Sequence, residues 1–224
     1  MSEELQNLSR KIQFIKNDIL FKENIIAVYM NINDLSDDDF QICYSVMSEE
    51  KKHRIDKLRQ RSDRIRSVTG DYLMRYLVSQ KSGISPESVQ IYTEQSGRPG
   101  INNSELKVSL SHSGDYVVCA CATRNVGVDI EQITQYDDDV ATVSCTENEL
   151  RYIDKNDDKA ACITLLWTLK EAYCKCVGTE NFTGPQDVEM SDGEVLFDRI
   201  NGVKNICIDD FTGYACSLSV EEGS

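Results

Sequence analysis

Two stretches of the chain repeat the same order of patterns at a spacing of one hundred residues. A shift by one hundred lays residues 26–31, Ile-Ala-Val-Tyr-Met-Asn, on residues 126–131, Val-Gly-Val-Asp-Ile-Glu, and it lays the first Asp-Asp-Asp run on the second. The same shift lays Asp71 on Glu171. This repetition predicts two lobes built on one plan, with a ligand site in the cleft between them.

Apolar periodicity divides each half of the chain into short strands and one long helix. Helical patterns cover residues 62–83 and 158–177, where Ser62 is a candidate N-cap and Gly83 and Gly178 follow the last turns. Patterns typical of strands lie at residues 25–32, 84–93, 106–110, 116–122 and 126–131. We therefore expect an α+β fold with two pseudo-symmetric lobes, each a small antiparallel sheet packed against a long helix.

The first 24 residues carry an amphipathic pattern of their own. Apolar residues recur there three and four positions apart, at Leu5, Leu8, Ile12, Ile15 and Ile19. This spacing predicts one amphipathic helix over residues 1–24. We therefore divide the chain into this N-terminal helix, an N-terminal lobe over residues 25–105, and a C-terminal lobe over residues 106–224 that carries the candidate metal site.

Charge and cysteine content exclude several classes of partner. The 224 residues contain 24 Lys and Arg against 38 Asp and Glu, a formal net charge of -14, so a nucleic-acid backbone would be repelled. Basic residues are concentrated in residues 51–66, which is typical either of a solvated helix face or of a site for a small polyanion. Nine Cys, no secretory leader and no apolar run of membrane-spanning length indicate a cytoplasmic protein without a membrane partner.

Two motifs forty residues apart bring carboxylates and a lysine toward one place. On a strand, Asp129 and Glu131 project from the same face, and on a helix Glu171 and Lys175 lie one turn apart. Three crowded carboxylates need a cation to share them, and oxygen-only ligation suits Mg²⁺, with Mn²⁺ as the alternative. We therefore predict a metal site of Asp129, Glu131 and Glu171, with Lys175 beside it to meet a bound phosphate.

A third motif, Ser-His-Ser-Gly at residues 111–114, is predicted to form a turn. Its hydroxyls, imidazole and glycine suit an anion site, but the same residues also make ordinary hairpin turns. Serine hydrolase chemistry is disfavoured because Ser111 and His112 are direct neighbours and the chain has no G-x-S-x-G motif.

Four motifs in this order resemble those of the 4'-phosphopantetheinyl transferases: residues 97–99, 109–113, 126–131 and 167–175. The pair G-V-D-I-E and W-x-x-K-E-x-x-x-K carries most of the likeness, which runs from about residue 25 to the C-terminus and omits the N-terminal helix. It points to the two-lobed monomeric branch. The resemblance implies transfer of the phosphopantetheine arm of coenzyme A to a serine of an acyl or peptidyl carrier protein, with release of adenosine 3',5'-bisphosphate.

The resemblance also implies roles for single residues. Its metal ligands match Asp129, Glu131 and Glu171, and its pyrophosphate-contacting lysine matches Lys175. The positions that match its coenzyme A ligands are Lys51, Arg54, Arg66 and His112 at the 3'-phosphate, Ser111 in the phosphate-binding turn, and Gly97 and Arg98 at the adenine. Glu147 matches a glutamate proposed as a base; a first-turn glutamate that interacts with its helix dipole is the alternative. Glu171 is the other candidate base.

Carrier proteins are commonly acidic, as this chain is, so docking would depend on a local patch. The candidates are residues 51–66 and residues 178–185, which include Phe182. Two other functions remain open: a module that binds coenzyme A or a nucleotide without turnover, and a magnesium-dependent hydrolase of a nucleotide diphosphate.

Overall fold

The computed structural model describes residues 3–179, 190–191, 194–195, 199–200 and 203–222. These residues form two compact units. The first unit runs to Thr93 and resumes with Pro99–Thr123, and the second consists of Glu94–Arg98 and the residues from Arg124 onward. Both combine helices with antiparallel strands, which confirms the α+β class.

The first unit is a four-stranded antiparallel sheet covered by helices. Its helices are α1 (Glu3–Ser9), α2 (Asp18–Lys22), α3 (Asp37–Ser45), α4 (Glu49–Asp56) and α5 (Arg61–Ser82). Its strands are β1 (Gln13–Phe14), β2 (Ile26–Asn31), β3 (Ile91–Thr93), β4 (Pro99–Ile101), β5 (Lys107–Ser113) and β6 (Tyr116–Ala122). The main sheet has the order β1-β2-β6-β5, and β3 pairs with β4 in a separate ribbon. Helix α5 packs on this main sheet and supplies buried Tyr72, Leu73 and Leu77 to the core.

The second unit repeats this architecture with one long helix on one sheet. Its helices are α6 (Asp138–Ser144), α7 (Glu147–Asp154) and α8 (Lys159–Val177). Its strands are β7 (Val126–Gln132), β8 (Met190–Ser191), β9 (Glu194–Val195), β10 (Arg199–Ile200), β11 (Val203–Ile208) and β12 (Tyr214–Glu221). The main sheet has the order β10-β11-β12-β7, and α8 packs against β7 and β12. Leu166, Leu169 and Ala172 of α8 are fully buried. The prediction of a small antiparallel sheet on a long helix is confirmed in each unit.

Local capping chemistry explains most helix ends. The first Asp-Asp-Asp run opens α3, whose N-cap Ser36 forms a reciprocal capping box with Asp39. Gly83 and Gly178 follow α5 and α8 with φ of 76° and 80°, a left-handed conformation that glycine adopts without strain. The start of α5 differs from the prediction, because the helix begins at Arg61 and Ser62 is not its N-cap.

The N-terminal segment is not the single helix that its apolar spacing predicted. Helix α1 ends at Ser9, β1 then pairs with β2, and Asn17 caps a new helix by accepting a hydrogen bond from the Ile19 amide. Pairing with the sheet and the polar cap therefore override the helical period. The segment is part of the first unit, since Leu5 and Leu8 lie in its core.

The boundary between units also differs from the predicted division after residue 105. Strands β5 and β6 belong to the first unit because β6 pairs with the whole length of β2, from Ile26↔Cys121 to Asn31↔Tyr116. The same pairing changes the predicted turn at residues 111–114. Ser111 and His112 continue β5 opposite Val118 and Val117, and only Gly114 and Asp115 form the turn.

Candidate functional site

The face of β7 that meets α8 carries a buried carboxylate held by a lysine. Val128 and Ile130 are fully buried, and Asp129 between them is 2% exposed. Asp129 Oδ1 accepts a 2.6 Å hydrogen bond from Lys175 Nζ, which lies 3.3 Å from the Val128 carbonyl oxygen. Glu131 is partly exposed at the end of β7 and, two residues on, shares the face of Asp129.

Gly127 makes this contact between β7 and α8 possible. A Cβ atom at this position would lie 1.9 Å from the Ala172 carbonyl oxygen and 2.6 Å from the Cys176 amide nitrogen. These are backbone atoms of α8, so no side-chain rotation could relieve the overlap. The glycine of the G-V-D-I-E motif therefore sets how closely the lysine-bearing helix approaches the strand.

Glu171 lies one turn before Lys175 on α8, and the carboxylates of β7 affect its pKa. Burial raises the pKa of Glu171 above its usual value, Asp129 raises it further, Lys175 opposes this, and Glu131 adds to it. The three carboxylates are therefore close enough to repel one another. Within the described ranges no three such side chains are arranged to hold a metal ion as they lie.

In the first unit, Asp71 and Arg75 occupy the positions one hundred residues before Glu171 and Lys175, and they form an ion pair with each other. Arg75 Nε donates to Asp71 Oδ1 at 2.5 Å, and these side chains are only 4% and 5% exposed. Arg75 also donates to the Val89 carbonyl oxygen at 2.5 Å. Asp71 is therefore paired with a residue of its own helix, α5, whereas Lys175 on α8 contacts Asp129 on β7.

A cavity of about 320 Å³ opens beside Glu131 in the second unit. Trp167, one turn before Glu171 on α8, forms part of its wall together with Thr164. Gln132 and Gln135 border it from the end of β7 and the segment that follows. The cavity therefore begins at one of the predicted metal ligands.

Two glutamates of α7 differ in burial: Glu147 is exposed and Glu149 is buried. Glu147 is on the first turn of α7 with its side chain 89% exposed, 3.4 Å from Arg151. Glu149 is fully buried instead: its Oε2 atom accepts from Lys170 Nζ at 2.6 Å and from the Thr146 amide at 2.8 Å. Sequence reasoning missed the Glu149–Lys170 pair; the capping-box pattern Thr146-x-x-Glu149 could have indicated only the contact of Glu149 with the Thr146 amide.

Arg66 joins the start of α5 to the β5–β6 turn in the first unit. Its Nη1 atom donates to the Gly114 carbonyl oxygen at 2.9 Å, and its Nη2 atom donates to Asp63 at 2.6 Å. In β5, beside that turn, Ser111 is 8% exposed and His112 is exposed. Three of the predicted nucleotide ligands therefore lie near one turn.

The other two predicted ligands of the 3'-phosphate lie on α4. Burial lowers the pKa of Lys51, Asp71 raises it, and Arg54 and Arg75 lower it further. Lys51 is thus close enough to Arg54 for their charges to repel, which is the situation a bound anion would relieve. Arg54 itself is exposed.

Gly97 and Arg98 lie in a tight loop assigned to the second unit. The Glu94 amide donates to the Arg98 carbonyl oxygen at 2.8 Å, and Gly97 closes the loop with φ of 77°. The Arg98 side chain does not extend into solvent, because it donates to the Cys176 carbonyl oxygen at 3.1 Å and to Asn125 Oδ1 at 3.3 Å.

Part of one predicted docking patch lies outside the described residues. Phe182 and the other residues of 180–185 lie outside the described residues. Among the described helices none is long and apolar enough to cross a membrane.

Comparison with protein families gives two adjacent matches. The 4'-phosphopantetheinyl transferase superfamily matches residues 125–218, and the N-terminal region of 4'-phosphopantetheinyl transferases matches residues 34–124. The two matches meet within one residue of the division after Thr123 that the structure shows. They do not meet at the predicted boundary after residue 105.

Individual relatives extend over most of the chain. The 4'-phosphopantetheinyl transferase gsp of Aneurinibacillus migulanus is 26% identical over 192 residues, 83% of this chain and 81% of that protein. The 4'-phosphopantetheinyl transferase Sfp of Bacillus subtilis (strain 168) is 27% identical over 157 residues, 69% of this chain and 70% of that protein. A crystal structure of the Thermotoga maritima holo-[acyl-carrier-protein] synthase matches 44% of this chain and 64% of its own, with 24% identity and a TM-score of 0.36.

The two family matches together span residues 34–218, in the order that the two-lobed branch requires. The strand and helix that carry Asp129, Glu171 and Lys175 lie inside the superfamily match. The chain belongs to the 4'-phosphopantetheinyl transferase superfamily.

Proposed function

We propose that this chain is a transferase that moves the 4'-phosphopantetheine arm of coenzyme A to a serine of an acyl or peptidyl carrier protein and converts the apo carrier to the holo form. The observation that carries this proposal is the contact of Lys175 with Asp129 beside Glu171, within the region that matches the superfamily. The products are the holo carrier and adenosine 3',5'-bisphosphate.

We assign Asp129, Glu131 and Glu171 as ligands of one divalent cation. The chemistry of this donor set fits Mg²⁺, with Mn²⁺ as second choice, because all three ligands are hard carboxylate oxygens. Burial raises the pKa of Glu171, and the Asp129 and Glu131 carboxylates raise it further against the opposing effect of Lys175. Lys175 is the positive charge that contacts Asp129 in this structure. When bound there, the ion would neutralise charge on the pyrophosphate oxygens.

Lys175 has two tasks in this proposal. It orients Asp129 through the 2.6 Å hydrogen bond, and its ammonium supports the leaving phosphate as negative charge develops there. Its place near the C-terminal end of α8 suits a cation, because the helix dipole is negative at that end.

We assign the 3'-phosphate of coenzyme A to basic residues of the first unit. Lys51, Arg54, Arg66 and His112 would meet the 3'-phosphate, with Ser111 as a hydroxyl donor. Burial is the main cause that lowers the pKa of Lys51, and the charges of Arg54 and Arg75 lower it further; this nearby positive charge supports an anion at this place. The backbone of residues 96–98 would contact the adenine.

The transfer step needs a base for the carrier serine. Its hydroxyl oxygen forms a bond to the β-phosphorus of coenzyme A, the bond from that phosphorus to the bridging oxygen breaks, and the hydroxyl proton moves to a carboxylate. We assign the base to Glu171, since burial and Asp129 raise its pKa toward the range that suits proton transfer. Glu147 remains the second candidate, although its side chain is 89% exposed.

The charged surface and the cysteines support the partners and the compartment that we propose. We propose that the chain acts as a monomer in the cytoplasm, where its nine free Cys stay reduced. An acidic carrier would dock through a local basic patch, for which residues 51–66 are the described candidate.

One experiment tests the function. The protein is incubated with coenzyme A, MgCl₂ and an apo acyl or apo peptidyl carrier protein, and the intact mass of the carrier is measured. A gain of one phosphopantetheine arm is expected. Release of adenosine 3',5'-bisphosphate without carrier would indicate a hydrolase, and binding of coenzyme A with no turnover would indicate a binding module.

Two matched variants separate the candidate bases. Glu171→Gln is expected to slow transfer by about 100-fold or more, because it removes both a ligand and the base. Glu147→Gln, which replaces an exposed glutamate, is expected to retain most of the rate. The opposite order of effects would move the base to Glu147.

A further inference from the structure

The guanidinium of Arg98 joins the 94–98 loop to the end of the helix that carries Lys175. Arg98 Nη1 donates to the carbonyl oxygen of Cys176, the residue directly after Lys175, at 3.1 Å. Arg98 Nη2 donates to Asn125 Oδ1, at the start of β7, at 3.3 Å. The side chain therefore spans two elements with two parallel donors.

Asn125 extends this contact into a network. Its Nδ2 atom donates to Glu221 Oε1 at 2.8 Å, and the Glu221 amide donates to the Asn125 carbonyl oxygen at 3.2 Å. The Cys176 thiol donates to the same carbonyl oxygen at 3.3 Å. Arg124 closes the network by donating to the Glu221 carbonyl oxygen at 2.6 Å. The end of α8, the start of β7 and the end of β12 are thus tied to Arg98.

Gly178 leaves room for the guanidinium. A Cβ atom at Gly178 would lie 3.0 Å from Arg98 Nη1, and the residue already has φ of 80°. The carbonyl groups at a helix C-terminus have no partner within the helix and carry the negative end of its dipole. Arg98 therefore satisfies one of these carbonyl groups with a charged donor, in a space that a Cβ atom at Gly178 would crowd.

We propose that Arg98 is a positioning residue: its side chain fixes the backbone of residues 96–98 against the last turn of α8 and contacts no phosphate of coenzyme A. This inference rests on the proposed function, which gives that backbone to the adenine and Lys175 to the pyrophosphate. A planar guanidinium can satisfy the Cys176 and Asn125 oxygens together, whereas the single ammonium of lysine cannot reproduce this fork.

The test compares Arg98→Met, Arg98→Lys and Arg124→Met with the wild-type enzyme. Arg124 is the matched control, because it belongs to the same network and contacts the Glu221 carbonyl oxygen. Arg98→Met is expected to raise the KM for coenzyme A about tenfold with a smaller change in kcat, and Arg98→Lys is expected not to restore it. Arg124→Met is expected to leave the KM near that of the wild type.

Three further measurements test the positioning role. A residue that binds the 3'-phosphate would, when replaced, reduce the preference for coenzyme A over 3'-dephospho-coenzyme A; a positioning residue leaves that ratio unchanged. Added guanidinium ion is expected to restore part of the affinity in Arg98→Ala. Asn125→Ala is expected to add little to Arg98→Met, because both break the same contact.

Several results would overturn the proposal. An unchanged KM in Arg98→Met, full activity in Arg98→Lys, or a lost preference for the 3'-phosphate would each do so. Should the wild-type protein bind coenzyme A but modify no carrier, the transferase proposal fails while calorimetric affinities for coenzyme A still test Arg98. Absence of coenzyme A binding by the wild type would refute both.

Discussion

The ammonium of Lys170 lies 2.6 Å from the Glu149 carboxylate, and neither side chain is exposed by more than 1%. Lys170 also donates to the Ser144 carbonyl oxygen at 2.7 Å. Glu171, the next residue, lies on a different side of α8 beside Asp129. The adjacent Lys and Glu of the W-x-x-K-E motif therefore serve two purposes: the lysine anchors the segment before and within α7, and the glutamate belongs to the candidate site.

Replacing this lysine should be severe for stability. Lys170→Met leaves the Glu149 carboxylate buried without its cation, and we expect the free energy of unfolding to fall by about 3–5 kcal/mol in urea titrations. The double variant Lys170→Met/Glu149→Gln should regain part of the loss. Lys159→Met, which breaks an exposed pair with Asp154, is the control and should unfold close to the wild type. Equal losses for Lys170 and Lys159 would contradict the buried role.

Gly127→Ala should weaken both the fold and the candidate site. The added methyl group meets backbone atoms of α8, so the helix must shift away from β7 and the contact between Lys175 and Asp129 must lengthen. We expect a loss of about 1–3 kcal/mol in thermal or chemical unfolding, with a larger proportional loss of transfer activity. Gly70→Ala is the matched control, since its Cβ would meet only the movable end of Leu110. A Gly127→Ala enzyme with normal turnover would show that the close approach is not needed.

Acid should remove the contribution of Asp39 to stability. Burial alone would raise the pKa of Asp39, but hydrogen bonds from Lys11 and Ser36 outweigh it and hold the pKa below its usual value of 3.8. A carboxyl group with a lowered folded pKa stabilises the fold above its unfolded pKa, and this contribution is lost as the pH falls through the folded pKa. Asp39→Ala should therefore cost about 1–2 kcal/mol at pH 7 and progressively less below pH 4.

Urea midpoints at pH 7 and pH 3 measure this difference. Asp38→Ala, at an exposed position in the same first turn, is the control and should show a smaller change at both values. A penalty for Asp39→Ala that is the same at pH 3 and pH 7 would refute the assigned ion pair.

Magnesium should reverse the effect of Glu171 on stability. Because burial and Asp129 raise its folded pKa above the unfolded value, ionised Glu171 lowers stability, and the penalty grows as the pH rises from the unfolded to the folded pKa. Without metal, Glu171→Gln should therefore have a higher Tm than the wild type at neutral pH. With MgCl₂ the wild type should gain Tm and the variant should gain much less, as thermal scans with and without the salt would show. A variant that gains as much as the wild type would remove Glu171 from the ligand set.

Periodicity and end signals predicted the parts of the fold that local chemistry decides. The alternation around Asp129 predicted β7, the spacing of Glu171 and Lys175 matches their placement one turn apart on α8, and Gly83 and Gly178 marked the ends of both long helices. These features depend on neighbours within a few residues, which a sequence shows directly.

Features that depend on residues far apart in the chain could not be predicted from the sequence. The apolar spacing predicted that Ile19 would be buried, yet Ile19 is 38% exposed and Leu20 beside it is 2% exposed. The reason is that β1 pairs with β2, so the helix is interrupted and α2 begins anew at Asp18. Ser111 was predicted to lie in a turn, but it lies in β5 because it pairs with Val118 of β6. The burial of Lys170 depends on Glu149, 21 residues away, and no local pattern assigns that partner.

The assignment of Arg98 to the second unit has a consequence at the level of the gene. Since β3 and β4 on either side belong to the first unit, the polypeptide passes between units three times, after Thr93, after Arg98 and after Thr123. A fragment that starts at Arg124 would lack the arginine that holds the end of its own helix, and a fragment that stops at Thr123 would carry that arginine without its acceptors. Neither half of the reading frame therefore encodes a complete second unit, and recombination at that junction would have to transfer both pieces together.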